Sequence, residues 1–192
     1  MMNESIDKIE KHLTEASRVL LSSVGLAPQI SAIVDIAVKS LDSGGTIFWC
    51  GNGGSAADSQ HLAAELIGRY KKERRAISSV SLTTDSSILT AISNDFGFEH
   101  IFSRQLEGLA RAGDVLIALS TSGTSKSILN ALEKAQELNV TSVLITSTKH
   151  PGSNGNHVLR VASTETEQIQ HAHIAIGHII CELIEMNCVD EQ

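Results

Sequence analysis

Aromatic residues are scarce in this chain, at 3% of 192 residues, so its hydrophobic core has to be built mainly from aliphatic side chains. Proline is also sparse, and a hydrophobic share of 42% is that of an ordinary globular protein, which excludes the disordered and fibrous classes. Positive charge is in deficit: a net charge of -7 argues against a broad nucleic-acid surface, which requires clustered Lys and Arg. We therefore expect one globular domain that buries a full core without disulfides or structural metals.

Cysteines and long apolar runs are few as well. Cys50, Cys181 and Cys188 form no CxxC pair and leave one thiol over in any disulfide scheme, which favours a reducing compartment and hence the cytoplasm. The N-terminal segment is charged and amphipathic, unlike a secretory signal, and no apolar stretch is expected to reach the length of a membrane span. The one basic run, KKERR at 71–75, is interpreted as a solvated segment after a helix, with a subunit or anionic-ligand contact as the alternative.

The spacing of hydrophobic residues predicts two helices followed by an alternation of strands and helices. Apolar residues recur at helical spacing over 6–20 and 30–41, and Pro28 opens the second of these helices. Further helices are predicted at 55–70, 86–93, 99–110, 125–138 and 165–186, and strands at 46–50, 76–82, 114–120, 141–147 and 157–163.

This alternation indicates an α/β fold, in which a parallel β-sheet is flanked by helices on both faces. We expect a single domain over 1–192, with an N-terminal helical segment at 1–43 and an α/β core at 44–192. The two N-terminal helices either form a subunit interface or cover one face of the sheet. Sheets of this kind bind ligands beyond the carboxyl ends of their strands.

The first strand-to-helix loop, in CGNGGSAAD, offers bare backbone at the start of a helix. Free N–H groups and the helix dipole favour an anion there, and the glycines let the backbone approach it closely. On its own the loop is equally consistent with a tight connection, because it matches neither GxGxxG nor a P-loop with its lysine. Its candidate binding residues are Asn52, Gly53, Gly54 and Ser55.

A second loop of this kind joins the strand DVLIALS to the next helix. It is rich in hydroxyl groups that can donate to a phosphate, whereas helix capping accounts for only one Ser or Thr. Two such loops at one edge of the sheet indicate a phosphorylated small molecule rather than a nucleotide. The candidate residues are Ser120, Thr121, Ser122 and Ser125.

A histidine and a carboxylate lie four residues apart on the helix that follows the glycine-rich loop. His61 and Glu65 share one helix face, which Asp58 and Arg69 extend. The spacing suits a divalent metal or a coupled acid/base pair, and a simple surface ion pair is the alternative. Because the helix begins at the loop, its first turns lie beside the expected ligand.

The C-terminal helix carries a group of histidines against an isoleucine background. His171 and His178 lie two turns apart on one stripe, with Gln170 about 80° from His178 around the axis, and spacing does not choose among them. His173 also lies in this helix. Gly177 indicates close packing or a close approach of ligand.

Asn94 and Asp95 stand at a predicted helix end just before Gly97. Asn and Asp are ordinary residues for a turn, and the alternative is that they hold sugar hydroxyls.

Four motifs, in this order, resemble the bacterial phosphoheptose isomerases of the sugar isomerase (SIS) fold: CGNGGSAADSQHLAAELIGRY, AISNDFGFEHIFSRQ, GDVLIALSTSGTSKSIL and QIQHAHIAIGH. The resemblance covers nearly the whole chain and implies a single SIS-type domain. It implies conversion of sedoheptulose 7-phosphate to D-glycero-D-manno-heptose 7-phosphate, the first step of ADP-heptose synthesis for the lipopolysaccharide core. It also implies a cytoplasmic homotetramer with one Zn²⁺ per subunit. The partners that we expect are the sugar-phosphate substrate and further copies of the chain, and, from the charge and the lack of long apolar runs, no nucleic acid and no membrane.

The resemblance also implies roles for individual residues. The implied metal ligands are His61, Glu65, Gln170 and His178, of which Glu65 and His178 form the catalytic acid/base pair. The implied substrate contacts are Asn52, Gly53, Gly54, Ser55, Glu65 and Gln170, with Asn94 and Asp95 on sugar hydroxyls and Ser120, Thr121, Ser122 and Ser125 around the phosphate.

The sequence departs from the family pattern at two places. A GKDGG-like turn usually follows the strand at 141–147, where this chain has TKHPGSNGN, and an arginine commonly stands at the position of Gln168. The alternative function is a noncatalytic SIS-fold binding protein, of the replication-initiator-associating type or a sugar-phosphate sensor. In the former branch the acidic and histidine positions are replaced, whereas Glu65 and His178 are both present here.

Overall fold

A computed structural model describes residues 2–149, 152 and 154–188 of the chain. His150 and other parts of the atypical 148–156 loop lie outside the described residues, as do residues 189–192 of the expected domain.

The described residues form helices and strands in the predicted alternation. The α-helices are α1 (Met2–Ser22), α2 (Ala27–Asp42), α3 (Gly54–Ile67), α4 (Ser86–Phe96), α5 (Ser103–Leu109), α6 (Lys126–Glu137) and α7 (Thr166–Cys188). Short 3₁₀ helices occupy Ser23–Leu26 and Phe98–His100. The strands are β1 (Ile47–Gly51), β2 (Ser79–Ser81), β3 (Val115–Leu119), β4 (Thr141–Ser147) and β5 (His157–Val161).

The sheet is parallel throughout, with strand order β2-β1-β3-β4-β5, which confirms the predicted fold class. The order reverses direction between β1 and β3, and such a switch point opens a crevice at the carboxyl ends of the two strands. Gly51, the last residue of β1, pairs in register with Leu119, the last residue of β3. The loops that follow these two strands therefore begin side by side.

Both faces of the sheet are buried, as expected for parallel strands with continuous apolar runs. Ile47 and Trp49 pack in the core formed with α2, α3, α7 and the end of α1, whereas Phe48 and Cys50 pack in the core formed with α5 and α6. The Trp49 indole Nε1 donates to Ser79 Oγ at 2.9 Å, which satisfies the polar atom of this fully buried side chain. The aliphatic core predicted from composition is confirmed.

The two N-terminal helices differ in what they bury. The helix α2 buries Ile30, Ile33, Val34 and Ala37 in the core, so it covers one face of the sheet. The helix α1 contributes Val19 to that core and leaves a second apolar stripe exposed. That stripe consists of Ile6, Ile9, Leu13, Leu20 and Leu21, and it continues into the following 3₁₀ turn at Val24.

The expectation that no stretch reaches the length of a membrane span needs correction. Among the described residues, the helical run Glu4–Asp42 is long and apolar enough to cross a membrane. In this run α1, the short 3₁₀ turn and α2 follow one another directly, and one 18-residue window of it contains few charged residues. Core helices and N-terminal signal sequences pass the same test, so the finding is weak evidence for a membrane. Of its apolar window, 22% is buried inside the chain.

Some element ends differ from the predictions. The helix α3 ends at Ile67 instead of residue 70, and α4 runs three residues further than predicted, to Phe96. The single helix predicted at 99–110 is a 3₁₀ turn, Phe98–His100, followed by α5. The strand predicted at 76–82 is reduced to β2, Ser79–Ser81.

Candidate active site

The two loops at the switch point are joined by an asparagine. Asn52, which follows β1, donates from Nδ2 to Ser125 Oγ and to Ser127 Oγ, both at 2.9 Å. Ser125 immediately precedes α6, and Ser127 lies in its first turn. The glycine-rich loop and the hydroxyl-rich loop therefore form one continuous wall of the crevice.

The hydroxyl-rich loop folds back on itself before α6 begins. Ser120 is buried, and its Oγ accepts the Gly123 N–H at 3.1 Å, so this hydroxyl shapes the turn. Ser122 is exposed and Ser125 is half-buried, which leaves both hydroxyls accessible to a ligand. The Thr121 carbonyl accepts from Ser147 Oγ at 2.8 Å, which ties the loop to the end of β4. Together with the free N–H groups of the first turn of α6, these hydroxyls suit an anion.

The glycine-rich loop makes room for a side chain from α7. Gly53 has φ 57° and ψ -123°, a conformation that favours glycine. At Gly54, a Cβ atom would collide with the amide group of Gln170, whose Cδ would lie 3.1 Å away. Gln170 thus lies over the first residue of α3. Ser55 is buried just inside that helix, and its carbonyl accepts from Ser59 Oγ at 2.7 Å.

The helices α3 and α7 run side by side in the same direction. Gly54 faces Gln170 at one end, and further along Gly177 lies directly against Leu62, where a Cβ would overlap the leucine side chain. Gly177 therefore serves close packing, the first of the two alternatives considered for it. Cys181 Sγ donates to the Leu62 carbonyl at 3.6 Å on the same seam.

This seam brings together two imidazoles and a carboxylate. His61 Nε2 lies 2.9 Å from His178 Nε2 and 3.1 Å from Glu65 Oε1. One donor atom from each of the three residues lies within 4.8 Å of the other two. Two imidazole nitrogens and a carboxylate oxygen are the ligand types of catalytic zinc sites, so the cluster fits such an ion.

A tyrosine and an aspartate border this cluster. The Tyr70 ring stacks on the His178 ring with centroids 5.5 Å apart and an interplanar angle of 15°. Asp58 lies one turn before His61; burial raises its pKa, and the nearby His61 and His178 act in the opposite direction. Arg69 does not extend the His61 face as expected, because α3 has already ended and Arg69 is exposed.

Two other groups of predicted residues lie apart from the cluster. Gln170 lies two turns before His178 on α7, at Gly54 rather than at His61. Asn94 and Asp95 are exposed in the last turn of α4, where Asn94 Nδ2 donates to Asp95 Oδ1 at 2.7 Å. Among the described residues, no hydrogen bond joins this pair to the crevice, so its contact with a sugar stays a prediction.

The remaining histidines of α7 have structural partners. His173 is fully buried, and its Nε2 donates to the Thr146 carbonyl at 3.2 Å. Burial lowers the pKa of His173 to about 4, although the hydrogen bond to Thr146 acts in the opposite direction. His171 is exposed and makes an edge contact with His12 of α1, whose ring also lies 3.3 Å from Gln168 Nε2.

The basic run at 71–75 is not simply a solvated segment. The Arg74 side chain is 2% exposed and forms an ion pair with Glu185 of α7, Nε to Oε1 at 2.9 Å. Its guanidinium also donates to the carbonyls of Glu65 and Leu66, both at 2.8 Å. Sequence reasoning missed this pair; the only available signal was a glutamate at an otherwise apolar position of the last helix.

Comparisons with known proteins identify the class to which this fold and site belong. The family model for the SIS domain matches residues 12–147, so the chain is an SIS-domain protein. The phosphoheptose isomerase of Aquifex aeolicus is 46% identical over 188 residues, which cover 94% of this chain and 96% of that protein. The chain therefore belongs to the phosphoheptose isomerase family, and it is an isomerase of the aldose–ketose class.

Solved structures agree with this assignment. The phosphoheptose isomerase of Neisseria gonorrhoeae superposes with a TM-score of 0.87 at 35% identity, covering 94% of this chain and 98% of that one. The phosphoheptose isomerase of Francisella tularensis gives a TM-score of 0.89 at 30% identity, with coverage of 95% and 98%. The resemblance inferred from the four sequence motifs is confirmed.

Proposed function

We propose that this protein converts sedoheptulose 7-phosphate to D-glycero-D-manno-heptose 7-phosphate, the first step of ADP-heptose synthesis for the lipopolysaccharide core. One observation carries the proposal: the donor atoms of His61, Glu65 and His178 converge within 4.8 Å. His61 and Glu65 lie on α3, which begins at the wall of the crevice, and His178 reaches them from α7. A reacting carbonyl next to this cluster and a phosphate in the hydroxyl-rich loop are the two ends of a phosphorylated ketose.

The crevice orients the substrate through its phosphate. Ser122 and Ser125 donate to the phosphate oxygens, assisted by the N-terminus of α6, while Ser120 and Thr121 shape the loop around them. Asn52 holds Ser125 in place from the opposite loop. Gly53, Gly54 and Ser55 line the wall beside the sugar chain, and Asn94 and Asp95 contact its hydroxyls. Orienting the reactants in this way removes about 7 kcal/mol or more of the barrier.

Glu65 carries the proton between the two carbons. Isomerisation requires the removal of a proton from the carbon next to the carbonyl and its return to the neighbouring carbon through a cis-enediol. A single carboxylate performs both transfers, taking the proton from C1 of the ketose and delivering it to C2. His178 assists ring opening and the transfer of protons at the sugar oxygens.

His61, Glu65 and His178 would hold the zinc ion that the family implies, one per subunit. The family pattern also implies Gln170 as a fourth ligand, although its amide lies at Gly54, apart from the other three side chains. When bound, zinc supplies a Lewis acid that stabilises negative charge on the sugar oxygens. Glu65 then serves both as ligand and as base, which requires its carboxylate to shift between the two roles.

The assembly that we propose is a cytoplasmic homotetramer without nucleic-acid or membrane partners. The N-terminal segment 1–43 forms its interface, because α1 carries an apolar stripe that the chain itself leaves exposed, with Leu13 at 64% and Leu21 at 69%. Stripes of this size on one helix mark contact surfaces. In this assembly the apolar window of α1 and α2 is covered by protein instead of lipid.

The test is incubation of the purified protein with sedoheptulose 7-phosphate, with and without a chelator, followed by measurement of aldose formation. We expect turnover that the chelator abolishes and that added Zn²⁺ restores. Binding of the substrate without turnover in any metal would favour the noncatalytic SIS-fold binding protein or the sugar-phosphate sensor.

A further inference from the structure

A buried ion pair lies just beyond the His/Glu/His cluster. Arg74 and Glu185 are almost completely shielded, with side-chain exposures of 2% and 1%. Burying two charges is costly, and a buried pair adds stability only when its remaining polar atoms are also satisfied. What the pair holds in place is therefore more informative than the pair itself.

Glu185 binds the segment that leaves α3. Its carboxylate accepts the backbone N–H groups of Tyr70 at 3.0 Å, Lys71 at 2.8 Å and Lys72 at 3.0 Å, in addition to Arg74. Burial raises the pKa of Glu185, but the three N–H donors and the Arg74 charge outweigh burial, so the pKa lies below its usual value. The carboxylate is therefore ionised at neutral pH and holds this turn against α7.

Arg74 holds the other side of the same turn. The last carbonyls of a helix have no partner within the helix, and a positive charge there is favourable. Arg74 donates to two of these carbonyls, Glu65 and Leu66. The backbone of Glu65, whose side chain belongs to the cluster, is thus fixed through Arg74 to Glu185.

The consequence for the cluster is the position of Tyr70. The Glu185 carboxylate holds the Tyr70 backbone at the point where its ring stacks on His178. The stack covers one face of the imidazole and restricts its rotation. Lys71 also reaches α7, through Glu182 at 2.7 Å, but this pair is solvent-exposed and contributes little.

We propose that Glu185 and Arg74 are positioning residues, which hold Tyr70 on His178 and Glu65 in its turn so that the three donor side chains keep their arrangement. The inference rests on the proposed function only for the identity of the metal. Outer partners of this kind typically contribute 10–100-fold to metal affinity.

The test begins with metal-free protein labelled with ¹³Cε1-histidine. A stacked tyrosine displaces the His178 ring resonance, which is assigned by its loss in His178→Gln. We expect Glu185→Gln and Tyr70→Ala to abolish this displacement, whereas Tyr70→Phe retains it. Glu182→Gln is the matched control, because it removes a carboxylate one turn earlier on the same helix.

Zinc affinity, measured by competition with a fluorescent chelator, is the second readout. We expect Glu185→Gln and Tyr70→Ala to weaken it about 10-fold or more, with Tyr70→Phe and Glu182→Gln near wild type. In the isomerase assay, the same two variants should lower kcat and leave KM unchanged. If Glu185→Gln does not fold, the comparison of Tyr70→Ala with Tyr70→Phe tests the proposal.

Two results would overturn the proposal: an unchanged His178 resonance in folded Glu185→Gln, or wild-type zinc affinity in Tyr70→Ala. A lower melting temperature without a change in the His178 resonance or in zinc affinity would show that Glu185 and Arg74 only stabilise the fold, and this too would overturn the proposal. Failure of the wild type to isomerise sedoheptulose 7-phosphate would refute the proposed function alone, because the resonance and zinc measurements do not depend on turnover.

Discussion

Gly177 of α7 and Leu62 of α3 touch so closely that a methyl group on Gly177 would lie 2.7 Å from Leu62 Cδ2. This contact sets the separation of the two helices one residue away from both His61 and His178, whose Nε2 atoms lie 2.9 Å apart. The geometry of the cluster therefore depends on the absence of a side chain at one position.

Gly177→Ala is expected to force the two helices apart. Overpacking of this kind costs about 1–3 kcal/mol of the free energy of unfolding, and the wider seam should also lower zinc affinity. Urea denaturation and chelator competition measure the two effects. Gly108→Ala is the control, because that glycine lies on α5 with open space around it. Alanine at this position should increase the free energy of unfolding by as much as about 1 kcal/mol. Equal behaviour of the two variants would contradict the packing argument.

Glu65→Gln should abolish isomerisation while substrate binding and assembly stay largely intact. Removal of a general base typically costs 10²–10⁴-fold, so kcat should fall by at least about 100-fold. Steady-state kinetics and calorimetric titration with sedoheptulose 7-phosphate separate the two effects. Glu73→Gln, at an exposed carboxylate in the segment after α3, should behave as wild type. Normal turnover in Glu65→Gln would remove Glu65 from the mechanism.

Hydrophobic periodicity was sufficient to predict the fold, because most of the helices bury one apolar stripe and the central strands β1, β3 and β4 are buried along nearly their whole length. Its errors occur where distant contacts decide an element's end. The helix α3 ends at Ile67, and Arg74 donates to the carbonyls of Glu65 and Leu66 in its last turn. Arg74 is in turn fixed by Glu185, 111 residues later. No local pattern contains that relationship.

The site residues likewise divide into those that local spacing predicts and those that depend on how distant helices pack. His61 and Glu65 were found from their i, i+4 spacing, which is local information. Spacing alone did not choose between His171 and His178, because the choice depends on how α7 is rotated against α3. In the structure Gly177 packs on Leu62, and this contact turns the face of α7 that carries His178 toward α3. Family resemblance named His178, and the structure brings it next to His61.

Ser125→Ala should weaken phosphate binding. Asn52 donates to Ser125 Oγ, so the Ser125 hydroxyl hydrogen can turn to a phosphate oxygen in place of Ser127 Oγ, which lies 3.2 Å away. A hydrogen bond to a charged group is worth about 1.5 kcal/mol or more, so the Kd of inorganic phosphate should rise roughly 10-fold. Calorimetry against phosphate provides the measurement, and Ser43→Ala, at the exposed end of α2, is the control. An unchanged Kd would exclude Ser125 from the phosphate site.

The buried His173 should make stability pH-dependent. Burial lowers its folded-state pKa to about 4, below the unfolded value of about 6.5, so the folded state binds fewer protons between these values. The contribution of His173 to the free energy of unfolding is therefore fully present above about pH 6.5 and is lost as the pH falls toward 4. The loss between pH 7 and pH 5 is about 2 kcal/mol. Urea denaturation of His173→Met should show a smaller loss than wild type, whereas His171→Met should not. If all three proteins lost the same free energy of unfolding as the pH falls, His173 would not be the group responsible.

Leu13→Glu should dissociate the proposed tetramer. The substitution places a charge in the middle of the exposed stripe of α1, where burying it in an interface would be costly. Size-exclusion chromatography with light scattering at micromolar concentration measures the mass. Lys11→Glu adds an acid to the opposite, charged side of the same helix and should keep the assembly. A monomeric wild type would count against the tetramer itself.

The contact between the parallel helices α3 and α7 also determines when, during synthesis, the donor cluster can be completed. All five strands and α3 precede α7 in the chain, so they have been synthesised before His178 is translated. Only the docking of the last helix completes the donor set. Any metal that the cluster holds would therefore be bound only after α7 has been made and docked.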